Sequence, residues 1–199
     1  MTAPGSATDL LTRYMMAKEG VRPEEMKIIG VGTNTIIPAI ENDRVVAAMG
    51  IDAWVTQLVK RGKAYLLVDL RTEKDTRAVF GGPYEFTGLL TRAEVIERRP
   101  AVIQKVVNTL VKTNRWMAAN PVEKWAEVMP AELVGDRADW IESFKASKET
   151  FTADSLPTRE AVTSVLRTFE AVGQIPNATK MDPEGLIDTR FVKKALERK

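Results

Sequence analysis

Through residue 70, short apolar runs alternate with helical stretches, and that rhythm restricts the chain to few architectures. Lys27-Ile28-Ile29-Gly30-Val31-Gly32, Val45-Val46-Ala47-Ala48-Met49 and Ala64-Tyr65-Leu66-Leu67-Val68 each read as a strand buried on both faces. Between them lie helical patterns. Leu10, Leu11, Tyr14, Met15 and Lys18 recur at helical spacing over roughly 8–19, with Gly20 in the C′ position and Pro23 beyond. Thr33-Asn34-Thr35 caps a short helix over 36–41, and a helix over 51–61 closes at Gly62. This alternation predicts an α/β fold built on a parallel-type sheet.

After Asp69 the pattern changes. Residues 71–78 read as a polar connector, 79–84 as a turn, and 85–90 as one more strand. From Ala93 onward only helices are expected: 100–119, opened by Pro100, then 122–129, 137–147, 157–172 and 188–197. Trp116, Trp125 and Trp140 stand at helical spacing among apolar neighbours and are expected in the core or on covered surface. No internal repeat or low-complexity tract interrupts this order. The predicted division is an α/β part over 1–72, a crossover with a returning strand over 73–90, and a helix-rich remainder over 91–199.

The composition excludes several chemistries. The chain has no Cys and no His, which removes a thiol nucleophile, a disulfide, a Cys/His metal site and an imidazole base. No cofactor, metal or enzymatic activity is expected. A formal net charge of +2, from 29 basic and 27 acidic residues, argues against a nucleic-acid partner, which calls for a basic surplus on one face. No apolar run approaches the roughly 20 residues of a membrane span, and no basic segment followed by an apolar core opens the chain as in a signal peptide.

The residues that carry a binding chemistry sit at element junctions. In Pro4-Gly5-Ser6-Ala7-Thr8-Asp9 a Gly-Ser turn runs into a helix, so backbone N–H groups and the hydroxyls of Ser6 and Thr8 converge at the positive end of a helix dipole. That is a seat for an anion; Ser6 and Asp9 also stand at the spacing of a capping box, and the two roles are compatible. Thr33 and Asn34 lie at a predicted strand end, as ligand contacts or as plain caps. Asp52 and Trp54 follow the next strand, where open α/β sheets bind ligands. Asp52 is either a ligand acceptor or the cap of its own helix, and Trp54 either a pocket wall or core.

The ordered set GSATD, KIIGVG, NDRVVAAMGIDAWVTQLVKRGKAYLLVDLRT and VFGGPYEFTGLLTRAEVIERRPAVIQKVVNTLVKTNRWMAANP resembles the solute-binding proteins of ABC importers. It is similar to their aliphatic sulfonate, taurine, nitrate and thiamine-precursor group, over nearly the whole chain. The resemblance implies a periplasmic receptor of two α/β lobes that holds a small anionic or heteroaromatic ligand and delivers it to a membrane permease. Residues 2–72 then form most of the second lobe, and 73–85 cross back toward the first, whose opening units have no counterpart here. Tyr84 and Thr87 fall in that crossover, where the ligand cleft belongs, and Gly81-Gly82-Pro83 supplies its bend. The alternative is a truncated receptor that no longer closes on ligand, whose incomplete first lobe implies exposed apolar edges and a homodimer. A thiamine-pyrimidine synthase of the same fold class uses a histidine and a cysteine-rich motif that this chain lacks, and nothing points to a menaquinone-pathway lyase.

Overall fold

The computed structural model describes residues 1–32 and 35–198. Its architecture corrects the expected fold class: the chain is 58% helical, and no strand or sheet forms among the described residues. The first half holds α1 (Ala7–Lys18), α2 (Ile36–Glu41), α3 (Trp54–Lys60) and α4 (Glu73–Phe80). The second half holds α5 (Ala93–Arg98), α6 (Pro100–Ala119), α7 (Val122–Val128), α8 (Ala131–Val134), α9 (Arg137–Ala146), α10 (Arg159–Ala171) and α11 (Arg190–Leu196).

The parallel-sheet prediction fails for a physical reason. A helix closes its backbone hydrogen bonds within itself, whereas a strand needs a neighbour at about 4.8 Å. Among the described residues, the runs over 45–49, 64–68 and 85–90 have no such neighbour, and the run over 27–32 has one only from Ile29 onward. Instead of lying buried between helices, Val46, Tyr65, Leu67 and Leu90 are 104%, 81%, 75% and 93% exposed. One short pairing remains. The amino group of Met1 donates to Ile29 O (3.4 Å), Val31 N–H to Met1 O (3.2 Å) and Gly32 N–H to Thr2 O (3.0 Å), which sets the two segments side by side and parallel. Gly30 permits this approach: a Cβ there would stand 3.1 Å from Pro4 Cδ.

The core is divided among several small clusters rather than gathered over a sheet. Ile36, Trp54 and Leu58 join α2 to α3. Val111 of α6 packs on Val192 and Ala195 of α11, and the side chains of Gln104 and Arg115 donate to carbonyls of Phe191, Leu196 and Arg198 along the same seam. Val162, Leu166 and Ala178 hold α10 against the turn that follows it. The densest cluster comprises Val122, Trp125, Ala126 and Trp140, with Trp116 and Phe144 against it. Trp140 and Phe144 stack with centroids 4.1 Å apart, and Trp125 Nε1 donates to Met117 O and Asn120 O. Trp125 and Trp140 thus lie in the core as expected. The helix over 73–80 replaces the expected polar connector. Thr72 caps it by accepting from Asp75 N–H, Gly81 ends it in the left-handed conformation, and Lys18 Nζ donates to the terminal carbonyls of Ala78 and Val79.

A polar link ties the first half to the second. The Asp52 carboxylate accepts from Thr56 Oγ1 (3.1 Å), Arg71 Nη1 (3.2 Å) and Ser147 Oγ (2.9 Å), the last from the end of α9. Arg71 also forms a two-pronged bond to Asp69, at 2.8 Å and 2.6 Å. Beside it, Lys60 of α3 bonds Asp139 (2.6 Å) and Glu142 (3.0 Å) of α9. The Arg71 guanidinium holds the Asp69 carboxyl below the usual carboxylate range, against the opposing effect of burial.

Two outcomes are expected. Trp140→Ala removes a stacked, buried ring and should cost about 3–5 kcal/mol in urea unfolding. Arg71→Met should cost about 2–3 kcal/mol at neutral pH, because it strips charge-assisted bonds from a nearly buried Asp52. Asp69 has a depressed folded pKa, so its stabilisation is full above about pH 4 and is lost as pH falls through the folded value. The acid limb of a stability–pH profile should therefore flatten in Arg71→Met; an unchanged slope would show that Asp69 contributes nothing to it.

Candidate functional site

Three hydroxyls converge at the start of α1. Thr2 Oγ1 lies 2.8 Å from Thr8 Oγ1 and 3.2 Å from Ser6 Oγ, and Ser6 Oγ lies 2.9 Å from Thr8 Oγ1. The local sequence explains the arrangement. Ser6 is the N-cap residue, with extended backbone and a side chain that accepts Asp9 N–H at 3.3 Å. The parallel pairing with residues 29–32 then carries Thr2 across the mouth of the helix. Thr2 N–H donates to Thr8 Oγ1 (3.0 Å), and Ser6 Oγ donates to Ala3 O (2.6 Å).

The electrostatics of this mouth are balanced by Asp9. Its buried carboxylate accepts Gly5 N–H (2.8 Å) through one oxygen and Arg13 Nε (2.9 Å) through the other. The reciprocal bond expected of a capping box therefore goes to Gly5 rather than to Ser6. Asp9 takes the amide of Gly5 and offsets part of the dipole, while Arg13 offsets Asp9 in turn. Ala7 and Thr8 are the first-turn amides that neither Ser6 nor Asp9 engages. The Thr8 hydroxyl, with its oxygen accepting from Thr2 N–H, keeps its proton for a neighbouring hydroxyl or an anion.

The remaining sequence candidates are dispersed. Thr33 and Asn34 lie outside the described residues, although Gly32 on their near side bonds Thr2. Trp54 is core: it packs with Ile36, Leu58 and Val31, and its ring fills the space a Cβ on Gly50 would need. Its indole N–H is buried without a partner among the described residues. Asp52 does not cap its helix. Ala53 holds the N-cap position of α3 without a side-chain bond, and the Asp52 carboxylate is taken up by the three donors of the interhalf link.

Tyr84 belongs to an aromatic group with Phe80 (centroids 4.2 Å apart) and Phe86 (5.0 Å), and Tyr14 of α1 stacks on Phe80 at 5.4 Å. Burial pushes its phenol pKa up, against the opposing effect of Thr168. Gly82 is buried, and a Cβ there would meet Ser164 Oγ at 2.9 Å, so the paired-glycine turn is closely packed against α10. Thr87 is exposed. The sequence reading missed Thr2. Nothing local marks that residue, since only the pairing with Gly32 brings its hydroxyl to Ser6 and Thr8.

Among the described residues no group of acidic side chains is arranged to hold a metal ion, and no helix is long and apolar enough to cross a membrane.

Comparison with known proteins gives the chain its relatives. A solved structure of a protein from Bordetella bronchiseptica RB50 is similar to it, with a TM-score of 0.90 and 26% sequence identity. The match covers 98% of this chain and 62% of that one, so this chain spans less than two thirds of that relative's length. No curated protein matches it. The description of the NMT1-like family fits residues 1–146, more than half of the sequence. The chain belongs to the NMT1-like family, a family of binding proteins within the nitrate-, sulfonate- and taurine-binding periplasmic group.

Proposed function

We propose that this chain is the solute-binding component of an ABC importer in the periplasm, and that it takes a small organic anion of sulfonate, carboxylate or nitrate type at the mouth of α1. The supporting observation is the convergence of Thr2, Ser6 and Thr8 on one helix N-terminus. The Thr8 hydroxyl and the first-turn amides of Ala7 and Thr8 offer donors to an oxyanion, Thr2 and Ser6 hold that hydroxyl in place, and the helix dipole favours the ligand's charge. Family membership supports capture and delivery to a permease rather than chemistry on the ligand.

In this reading Thr33 and Asn34 contribute polar contacts to the ligand. The aromatic group at Tyr84 lies along α1 through Tyr14 and offers an apolar wall to a ligand tail, with Thr87 next to it. Asp52 and Trp54 then act behind the site, as a structural link and a core ring. Residues 1–72 act as one lobe, 73–90 as the crossover, and 91–199 as the helical support.

A thermal-shift panel of taurine, alkanesulfonates, nitrate, aromatic carboxylates and pyrimidines tests the reading. A ligand at about 100 times its dissociation constant should stabilise the chain by about 2.7 kcal/mol, a shift of several degrees. Ser6→Ala should abolish that shift, and Thr8→Val should weaken it. A response only to uncharged pyrimidines, or one that survives both substitutions, would place the site elsewhere. Asp9→Asn removes a carboxylate from the mouth while keeping an acceptor for Gly5, so anion affinity should rise about two- to fivefold. A fall in affinity would mean that Asp9 orders the site more than it repels the ligand.

A further inference from the structure

The segment from Lys63 to Asp69 is the most concentrated apolar exposure near regular structure in this chain. Tyr65, Leu66, Leu67 and Val68 are consecutive and 81%, 42%, 75% and 44% exposed. Among the described residues, the backbone between Lys63 N–H, which bonds Leu58 O, and Leu70 O, which accepts from Thr76, pairs with no other backbone. An open row of N–H and C=O groups flanked by apolar side chains is a template for an added strand.

The sequence of the segment is complementary to itself. In an antiparallel pairing with a second copy, centred on Leu66, Tyr65 faces the partner's Leu67 and Ala64 faces the partner's Val68. The ends then match by charge, since Lys63 faces the partner's Asp69. A two-fold axis makes both ends alike, so the interface carries two such opposite-charge pairs. A shift of one residue sets Ala64 against the partner's Asp69, and a parallel pairing sets Lys63 against the partner's Lys63. Of these three arrangements, the register centred on Leu66 satisfies both charge and apolarity. The chain bends at Leu67, and pairing straightens it there.

A groove of about 330 Å³ runs beside this segment, lined by Leu66, Leu67, Val68 and, on α4, Ala78 and Val79, with Asp69 and Asp75 at its polar end. Leu67 in its lining is the residue that the partner's Tyr65 faces in this pairing, and we assign the groove to that ring. Its walls are apolar for the ring, and its carboxylates accept a phenol hydrogen bond.

We infer that the chain forms a two-fold homodimer through residues 63–69, by antiparallel strand pairing centred on Leu66 with Tyr65 of each copy seated in the groove of the other. This does not depend on the ligand reading, and the two fail separately.

Sedimentation velocity on the full chain, from about 1 to about 200 µM, reads the assembly, with a dimer expected at twice 22.1 kDa. Leu67→Lys and Lys63→Glu each change an exposed side chain and should raise the dimer dissociation constant about tenfold or more. Far-ultraviolet circular dichroism should show their helix content unchanged. Val106→Lys, on an exposed α6 row with Val102 and Leu110, should leave the dimer intact. The register has its own readout because the chain has no cysteine. Leu66→Cys should give a covalent dimer under mild oxidation, whereas Lys60→Cys, outside the strip, should not. A monomer across the whole range would overturn the inference, as would a dimer broken by Val106→Lys and indifferent to Leu67→Lys.

Discussion

Backbone hydrogen bonding that cannot be completed locally governs this structure. Each helix closes its own N–H and C=O groups, so α1, α6, α9 and α10 form wherever capping and periodicity allow. The apolar runs near residues 29, 46, 66 and 89 have no such recourse. Among the described residues only the first of them finds a neighbour, where it runs beside Met1 and Thr2. That brief contact creates the candidate anion seat, because it carries Thr2 across the mouth of α1. The run near 66, with its backbone open, offers the proposed dimer edge. The proposed anion seat and the proposed dimer edge follow from one requirement.

Without a sheet to gather them, the helices bury their apolar faces in small separate clusters, and charged links carry much of the tie between the two halves. Arg71 bridges Asp69 and Asp52, Ser147 reaches Asp52 from the end of α9, and Lys60 spans to Asp139 and Glu142 on the same helix. The Arg71 link is partly shielded from water, so its strength comes from hydrogen-bond geometry as much as from charge. The Lys60 bonds are exposed and screened, and they orient the helices more than they stabilise them.

Helix positions were legible in the residues. Pro100–Ala119 and Ile36–Glu41 form over the expected spans, and the helices at Ala7, Val122, Arg137, Arg159 and Arg190 depart from their predicted bounds by a residue or two. The tryptophans of the second half lie in or against the core for the same reason: helical spacing is a local property that survives into the fold. The Glu73–Phe80 helix was missed because its charged surface masks the inward side chains of Thr76 and Phe80. At the candidate site Ser6 and Thr8 were legible from a capping pattern, but Thr2 was not. Trp54 and Asp52 kept two readings until packing placed one in the core and the other in a salt link.

The sequence by itself determined most of the helices and several of their caps, the absence of thiol and imidazole chemistry, and the family to which the chain belongs. All of these depend on residue type and on spacings within a few turns. The tertiary structure alone decided whether the apolar runs pair, which hydroxyls meet, and which carboxylates are spoken for. Those outcomes depend on contacts between residues such as Thr2 and Gly32, or Asp52 and Ser147, that no local pattern specifies. A short apolar run reads the same whether a neighbour covers it or not; the surrounding chain, or a second copy, supplies the difference.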